Sequence, residues 1–251
     1  KELNVDLMEQ IMLYKKRKLS IVVFSIYLII IGCQGESNLK DNIKLITLDP
    51  GHFHAALIQK SMYQEIDAEV FIYAPEGQDL DLHLQKIHAY NTRKEKPTKW
   101  ISKINSGPDY LNKMITEKNG NVVVISGNNK KKTDYILAAI ENGFNIYADK
   151  PMVISPENYP TLKRAFQIAK EKNLIIYDIM TERSEITTRL QKEFAQNPEV
   201  FGKLITGSEE EPAITKESVH HFFKYVSGQP LIRPGWFFDT RQQGEGIADV
   251  T

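Results

Sequence analysis

Short apolar segments alternate with amphipathic segments along most of this chain. Apolar runs rich in β-branched residues predict strands at 43–48, 68–74, 121–126, 144–148 and 174–179. Apolar residues at helical spacing predict helices at 54–65, 108–120, 133–143 and 155–173, whereas 81–105 is predicted to be mostly helical or irregular. This alternation predicts an α/β fold with a doubly wound parallel sheet, in which ligands bind at the carboxyl ends of the strands.

The pattern changes after Glu182. A helix is predicted at 184–197 and a strand at 202–210, and 211–251 is rich in Gly, Pro and aromatic residues with weak periodicity. We therefore place one domain at 43–182 and the start of a second, α+β domain at 183–251. The chain begins at Lys1 without Met and ends at Thr251 inside a predicted strand, so we expect it to be a fragment of a longer gene product.

The N-terminal residues have the pattern of a secretory signal peptide. A basic run at 15–18 precedes the apolar run 19–33, which is shorter than the roughly 20 residues that span a bilayer and ends in "IIIGC". This ending resembles a bacterial lipobox, so we predict a signal peptide at 1–33, diacylglycerol on Cys33 and a polar tether at 34–42. The protein would then be anchored to the membrane in the bacterial cell envelope, facing the periplasm or the surface. The alternative is a buried helix with an incidental cysteine.

The charge balance disfavours one class of partner. The chain has 32 basic and 32 acidic residues, so no net positive field attracts nucleic acid. The basic run 130–132 is interpreted as a solvated helix start, and no spaced aromatic residues accompany it. We expect a small-molecule partner and no nucleic acid, and self-association into a homo-oligomer stays open.

The first predicted strand ends in a turn that resembles a dinucleotide-binding turn, "DPGHFH" at 49–54. Such turns use three glycines, for the tight bend, for close approach to the diphosphate and for helix packing. Only the middle one, Gly51, is present, because Asp49 and His54 occupy the other two positions. The candidate cofactor contacts are Gly51, His52, Phe53 and His54, and phosphate binding and a plain turn remain equal alternatives.

Other strand ends supply further candidates. Glu76 could bind ribose hydroxyls, and Ser126 and Asn129 could line a cofactor cleft, although solvated turns would explain all of them. Lys150 precedes a proline at the mouth of the sheet, where an amine can move protons or hydrogen-bond a hydroxyl. Arg183, Arg233 and Trp236 could line a sugar site. His220 and His221 point opposite ways on a predicted strand, so no metal site is expected there.

Three segments resemble the glucose–fructose oxidoreductase / inositol dehydrogenase family (Gfo/Idh/MocA). "AAIENGFNIYADKP" (138–151) matches its Glu-Lys-Pro segment at Glu141, Gly143, Lys150 and Pro151, with Asp149 in place of Glu. Upstream, Asn129 falls on the Asn of the family's Pro-Asn loop, where Asn128 replaces Pro and Lys132 a common His. Downstream, 235–251 resembles its Gly-rich lead into an Asp motif, with Asp249 on the first Asp.

The resemblance implies a Rossmann-like domain followed by an α+β domain with a mainly antiparallel sheet. It also implies NAD or NADP, with Asp149, Lys150 and Pro151 among the cofactor contacts. The expected reaction is hydride transfer at a carbinol carbon of a sugar or cyclitol. Lys150 and Asp249 would be catalytic, and the family's catalytic His would lie just past Thr251.

Two other interpretations stay open. A non-catalytic carbohydrate-binding or scaffold lipoprotein on the same fold would explain the altered glycine turn and would avoid the need for NAD outside the cytoplasm. A non-functional gene remnant would explain the chain ends.

Overall fold

The structure is a computed structural model that describes residues 43–180, 184–215 and 223–246. The predicted signal peptide with Cys33, the tether, Arg183, the pair His220 and His221, and Asp249 lie outside the described residues. Among the helices that are described, none combines the length and the apolar character needed to cross a bilayer.

Six parallel strands form the central sheet, in the order β3-β2-β1-β4-β5-β6. The strands are β1 (Leu45–Leu48), β2 (Glu69–Ala74), β3 (Ile101–Ser106), β4 (Val122–Ile125), β5 (Asn145–Ala148) and β6 (Ile176–Asp178). The chain runs outward from β1 to β3, returns to β4 and runs outward again, which is the doubly wound order. The predicted α/β fold class is confirmed.

Helices cover both faces of this sheet. They are α1 (His54–Leu57), α2 (Gln78–Thr92), α3 (Tyr110–Glu117), α4 (Asn129–Glu141) and α5 (Tyr159–Glu171). Val123 and Ile125 of β4 pack in the same cluster as α4 and α5, whereas Val124 packs with Leu45 and Trp100 in the other. Burial on both faces explains why the β4 sequence is apolar at every position.

Two predictions within the sheet domain differ from the structure. The stretch 81–105 is mostly helical or irregular, as predicted, but strand β3 begins at Ile101 and was not predicted, because an edge strand with exposed Ile101 and Ile104 has no continuous apolar run. Helix α1 ends at Leu57 instead of 65. There the indole of Trp100 donates a 2.6 Å hydrogen bond to the Gln59 carbonyl, which holds that backbone in a turn.

The segment after β6 contains short elements. These are α6 (Ile186–Ala195), α7 (Pro198–Phe201), an antiparallel hairpin of β7 (Tyr225–Val226) and β8 (Gln229–Pro230), a 3₁₀ turn at Gly235–Phe238 and α8 (Thr240–Gln243). The predicted strand 202–210 is wrong, because this stretch pairs with no strand in the described part of the chain. Its Leu204 and Ile205 are accordingly exposed.

Helix α2 contains a buried histidine that makes stability depend on pH. Burial, with a smaller contribution from Lys86, lowers the pKa of His83 from 6.5 to about 4. The unfolded chain therefore binds a proton at a higher pH than the folded chain, so the free energy of unfolding falls as the pH drops through this window. We expect a loss on the order of 2–3 kcal/mol between neutral pH and pH 4 from this residue.

Urea unfolding at several pH values, compared between wild type and His83→Leu, measures this contribution. The substitution should flatten the pH dependence, whereas His88→Leu on the exposed side of the same helix should leave it unchanged. An unchanged slope in His83→Leu would contradict the assignment.

Candidate functional site

The loops that follow β1, β4 and β5 meet at the carboxyl edge of the sheet. The carbonyl of Ser126 accepts hydrogen bonds from the backbone N–H groups of Gly51 (3.1 Å) and His52 (2.9 Å). A Cβ on Gly127 would lie 2.0 Å from the carbonyl oxygen of Asp49. The two turns can approach this closely only because residue 127 has no side chain.

Asp49 occupies the first glycine position of the turn and adopts a left-handed backbone with φ of 47°. Its carboxylate accepts a 2.6 Å hydrogen bond from the Tyr135 hydroxyl and lies 3.4 Å from the Lys131 ammonium, both on α4. Burial and the Asp49 charge raise the pKa of Tyr135 far above its usual range, so the hydroxyl remains a neutral donor. Tyr135 and Lys131 of helix α4 therefore offset the negative charge that Asp49 adds to the turn.

A cluster of His52, His54 and Asp149 joins the first turn to the end of β5. The Nδ1 atom of His52 lies 2.9 Å from Asp149 Oδ2, and that of His54 lies 3.0 and 3.1 Å from the two carboxylate oxygens. Asp149 also accepts hydrogen bonds of 2.9 Å from the Ser126 hydroxyl and 2.9 Å from the Lys150 N–H. A side chain predicted to contact the cofactor is thus fully engaged inside the protein, with 2% of its surface exposed.

Burial and hydrogen bonding act in opposite directions on this cluster. Burial lowers the pKa of His52 to about 4, although its bond to Asp149 opposes the shift. Burial favours the neutral form of Asp149, but the hydrogen bonds from His52 and His54 outweigh it and hold the pKa of the carboxyl well below its usual range. Near neutral pH, Asp149 is a carboxylate and His52 is an uncharged imidazole.

Three basic side chains lie near the same edge. Lys150 is half-buried between Asp149 and a cis peptide bond to Pro151. The Lys224 ammonium lies 5.4 Å from the centre of the Phe53 ring, in the dinucleotide turn. Burial, Arg233 and Lys150, in that order, lower the pKa of Lys224, which indicates that the three charges are close together. Positive charges of this kind attract an anionic ligand.

An acidic cavity of about 220 Å³ opens beside the ends of β1 and β2. Asp49, Glu76 and Asp79 line it together with Trp236, whose indole N–H donates a 2.8 Å hydrogen bond to Asp79. A Cβ on Gly51 would lie 2.8 Å from this carboxylate and 3.0 Å from the indole, so the middle glycine of the turn is required here. Trp236 thus lies beside the dinucleotide turn.

The predicted site residues do not all lie together in the structure. Most of them lie at the carboxyl edge of the sheet: Gly51, His52, Phe53, His54, Ser126, Asp149, Lys150 and Pro151. Glu76 lines the acidic cavity, and Asn129 is buried, where its amide donates to the Gln243 carbonyl (2.8 Å). The predicted solvated run 130–132 is wrong at Lys132, which is 1% exposed and donates to Asn129 Oδ1 at 2.6 Å.

Sequence reasoning missed four residues of this edge: Tyr135, Lys131, Asp79 and Lys224. Asp79 lies three residues after Glu76 in the first turn of α2, so the position after β2 was a usable signal. Lys131 belongs to the basic run 130–132, which was interpreted as a solvated helix start, whereas Tyr135 comes from the interior of α4 and Lys224 from a distant loop, where the sequence has no distinguishing pattern.

Comparison with known proteins identifies the family. The family model described as "Oxidoreductase family, NAD-binding Rossmann fold" (Gfo/Idh/MocA) matches residues 53–179, and the one described as "Putative oxidoreductase C terminal domain" matches residues 190–251. A crystal structure described as a "putative oxidoreductase" from Parabacteroides merdae ATCC 43184 is 55% identical with a TM-score of 0.79, covering 83% of this chain and 47% of its own. No curated protein matches the chain.

Two more distant structures share the fold alone. One, described as a "putative oxidoreductase" from Erwinia carotovora atroseptica SCRI1043, is 16% identical with a TM-score of 0.52 and covers 82% of this chain and 53% of its own. The other, biliverdin reductase from Synechocystis sp. PCC 6803, is 12% identical with a TM-score of 0.52 and covers 82% of this chain and 54% of its own. The chain thus spans about half the length of the structures it matches.

The chain belongs to the Gfo/Idh/MocA oxidoreductase family and contains its NAD-binding Rossmann domain. The resemblance found in the sequence is confirmed.

Gly127→Ala tests how closely the two turns of the site must approach. The added Cβ meets a backbone carbonyl that cannot move alone, so we expect the free energy of unfolding to fall by about 1–3 kcal/mol or more. Gly246→Ala is the control, because a Cβ there meets only open space. Equal stability of the two variants in urea unfolding would contradict the close approach.

Proposed function

We propose that the protein is an NAD-dependent oxidoreductase that oxidises a carbinol carbon of a sugar or cyclitol. The observation that carries the proposal is the position of Lys150 at the end of β5, beside the dinucleotide turn of a family Rossmann domain. The lipobox-like ending at Cys33 supports a lipid anchor in the cell envelope.

The positive charges near the turn fit the diphosphate of a dinucleotide. The N–H groups of Gly51 and His52 are occupied by the Ser126 carbonyl, so they are not available as phosphate donors. Lys224, close to Phe53, together with Arg233, would supply the attraction that the missing glycines no longer give. Gly51 leaves the backbone free of a side chain at the centre of this turn.

The acidic cavity favours NAD over NADP. Carboxylates such as Glu76 and Asp79 accept hydrogen bonds from ribose hydroxyls, whereas a 2′-phosphate would be repelled by them and by Asp49. Of the described residues that line the cavity, the cationic one is Lys131, which is paired with Asp49. No guanidinium in this lining could form the bidentate contact that a phosphate prefers.

Lys150 would act on the substrate hydroxyl. When bound, the nicotinamide accepts the hydride that leaves the carbinol carbon. An ammonium that donates a hydrogen bond to the hydroxyl oxygen would orient the substrate and stabilise the negative charge that develops there as the hydroxyl proton passes to a base, the role that the family resemblance gives to a His after Thr251. The hydrogen bond from Lys132 Nζ to the Lys150 carbonyl (3.2 Å) holds its backbone in place.

A second candidate function is a non-catalytic carbohydrate-binding or scaffold lipoprotein. The altered turn favours it, because Asp49 and His54 replace two glycines and Asp149 has all its hydrogen bonds inside the protein. The two candidates differ in one measurable property, which is turnover of a bound dinucleotide.

Fluorescence titration of the full-length protein with NADH and NADPH tests the cofactor. We expect NADH to bind about 10-fold or more tightly, and Asp79→Asn to narrow this preference while it keeps an acceptor for the Trp236 indole. Glu171→Gln, on the exposed end of α5, is the matched control. Failure to bind either dinucleotide would overturn the proposal.

Lys150→Met tests the role of the amine. With a panel of sugars and cyclitols, we expect nicotinamide reduction to slow by about 100-fold or more while NADH binding changes only a few-fold. Lys163→Met on the exposed face of α5 should keep both properties. NADH binding without turnover of any substrate would favour the scaffold function.

A further inference from the structure

Two imidazoles and one carboxylate converge at the turn after β1. His52 and His54 are separated by one residue, and both direct Nδ1 toward the carboxylate of Asp149, which lies 95 to 97 positions further along the chain. Within the described part of the chain, these three side chains bring one ligand atom each to within 4.8 Å of one another. The two rings also contact each other edge to face at 4.2 Å, which restricts their rotation.

We propose that His52, His54 and Asp149 bind a divalent transition-metal ion of the zinc class through the two Nδ1 atoms and a carboxylate oxygen.

The distances between these atoms are close to those of such a site. Zinc lies about 2.0–2.2 Å from imidazole nitrogens and carboxylate oxygens and is usually tetrahedral, so two of its ligand atoms are held about 3.3–3.4 Å apart. The Nδ1-to-carboxylate distances are 2.9, 3.0 and 3.1 Å. Small side-chain movements would bring the three groups to the separation that an ion requires, and imidazole with carboxylate is a ligand set that first-row metals accept.

Neighbouring groups hydrogen-bond the carboxylate of Asp149, as is usual for a carboxylate that binds a metal. The Ser126 hydroxyl and the Lys150 N–H each donate to its carboxylate at 2.9 Å. Hydrogen bonds of this kind fix the orientation of ligating carboxylates in metal sites. The side chains of His52 and His54 are 16% and 19% exposed, so the cluster is accessible from the crevice.

The charge of the cluster is the second, independent reason. Asp149 is 2% exposed, and its partners are His52, His54, the Ser126 hydroxyl and a backbone N–H. When both imidazoles are neutral, the groups that donate to this carboxylate carry no charge, and the buried Lys132 ammonium also acts on the cluster. A divalent cation held by the three side chains would place a further positive charge directly against the carboxylate.

The competing account is a metal-free network in which both rings donate Nδ1–H to Asp149. Ordinary hydrogen bonds have similar lengths, so the distances alone do not separate the two states. In the metal-free network, hydrogen bonds hold the turn. In the metal-bound state, an ion holds it, and the remaining coordination positions of that ion are open to water or a ligand oxygen. Titration with a metal distinguishes them.

The test uses the full chain, treated with a chelator and then titrated with Zn²⁺ alone by calorimetry. We expect one site per chain, and weakening of its affinity by about 100-fold or more in His54→Asn and in Asp149→Asn. His88→Asn and His220→Asn are controls that should keep the wild-type affinity. Because no dinucleotide is present, the outcome does not depend on the proposed oxidoreductase activity.

A spectroscopic measurement on the wild type tests the same site without relying on the folding of any variant. X-ray absorption at the zinc edge should show two imidazole ligands and a carboxylate at about 2.0–2.1 Å. The absence of a stoichiometric site, equal affinity in His54→Asn and wild type, loss of the site in His220→Asn, or a different ligand count would each overturn the proposal.

Discussion

The buried carboxylate of Asp149 is the interaction on which the candidate site depends. It accepts hydrogen bonds from His52 and His54 on the first turn, from Ser126 after β4 and from the backbone of Lys150. One side chain thereby connects the ends of three strands that are neighbours in the sheet. Because Lys150 directly follows Asp149, the same bonds fix the backbone from which its side chain extends.

Steric constraints at two glycines also determine the shape of the candidate site. Gly127 lets the turn after β4 approach the backbone of Asp49, and Gly51 leaves space for Asp79 and Trp236. The two lost glycines are compensated, since Asp49 adopts a left-handed backbone while pairing with α4, and His54 is bonded to Asp149. The family turn is therefore kept in place by side-chain contacts that differ from those of a three-glycine turn.

Sequence patterns predict the sheet but not the details of the site. The run Val122–Ile125 identifies a strand buried on both faces, and "ADKP" identifies the family, because both signals are local. Edge strand β3 was missed because its side chains are exposed, and the end of helix α1 was placed too late because a single distant hydrogen bond determines it. His54 in the third glycine position was noticed, but its partner lies 95 residues away, beyond the reach of any spacing rule.

The central claim is that Asp149 holds both histidines through their Nδ1 atoms. Side-chain ¹⁵N NMR of the chelator-treated protein at neutral pH reads the position of the proton on each ring directly. The structure predicts a protonated Nδ1 in both His52 and His54, because an ionised carboxylate can only accept hydrogen bonds. A proton on Nε2 with Nδ1 bare in either ring would contradict the account.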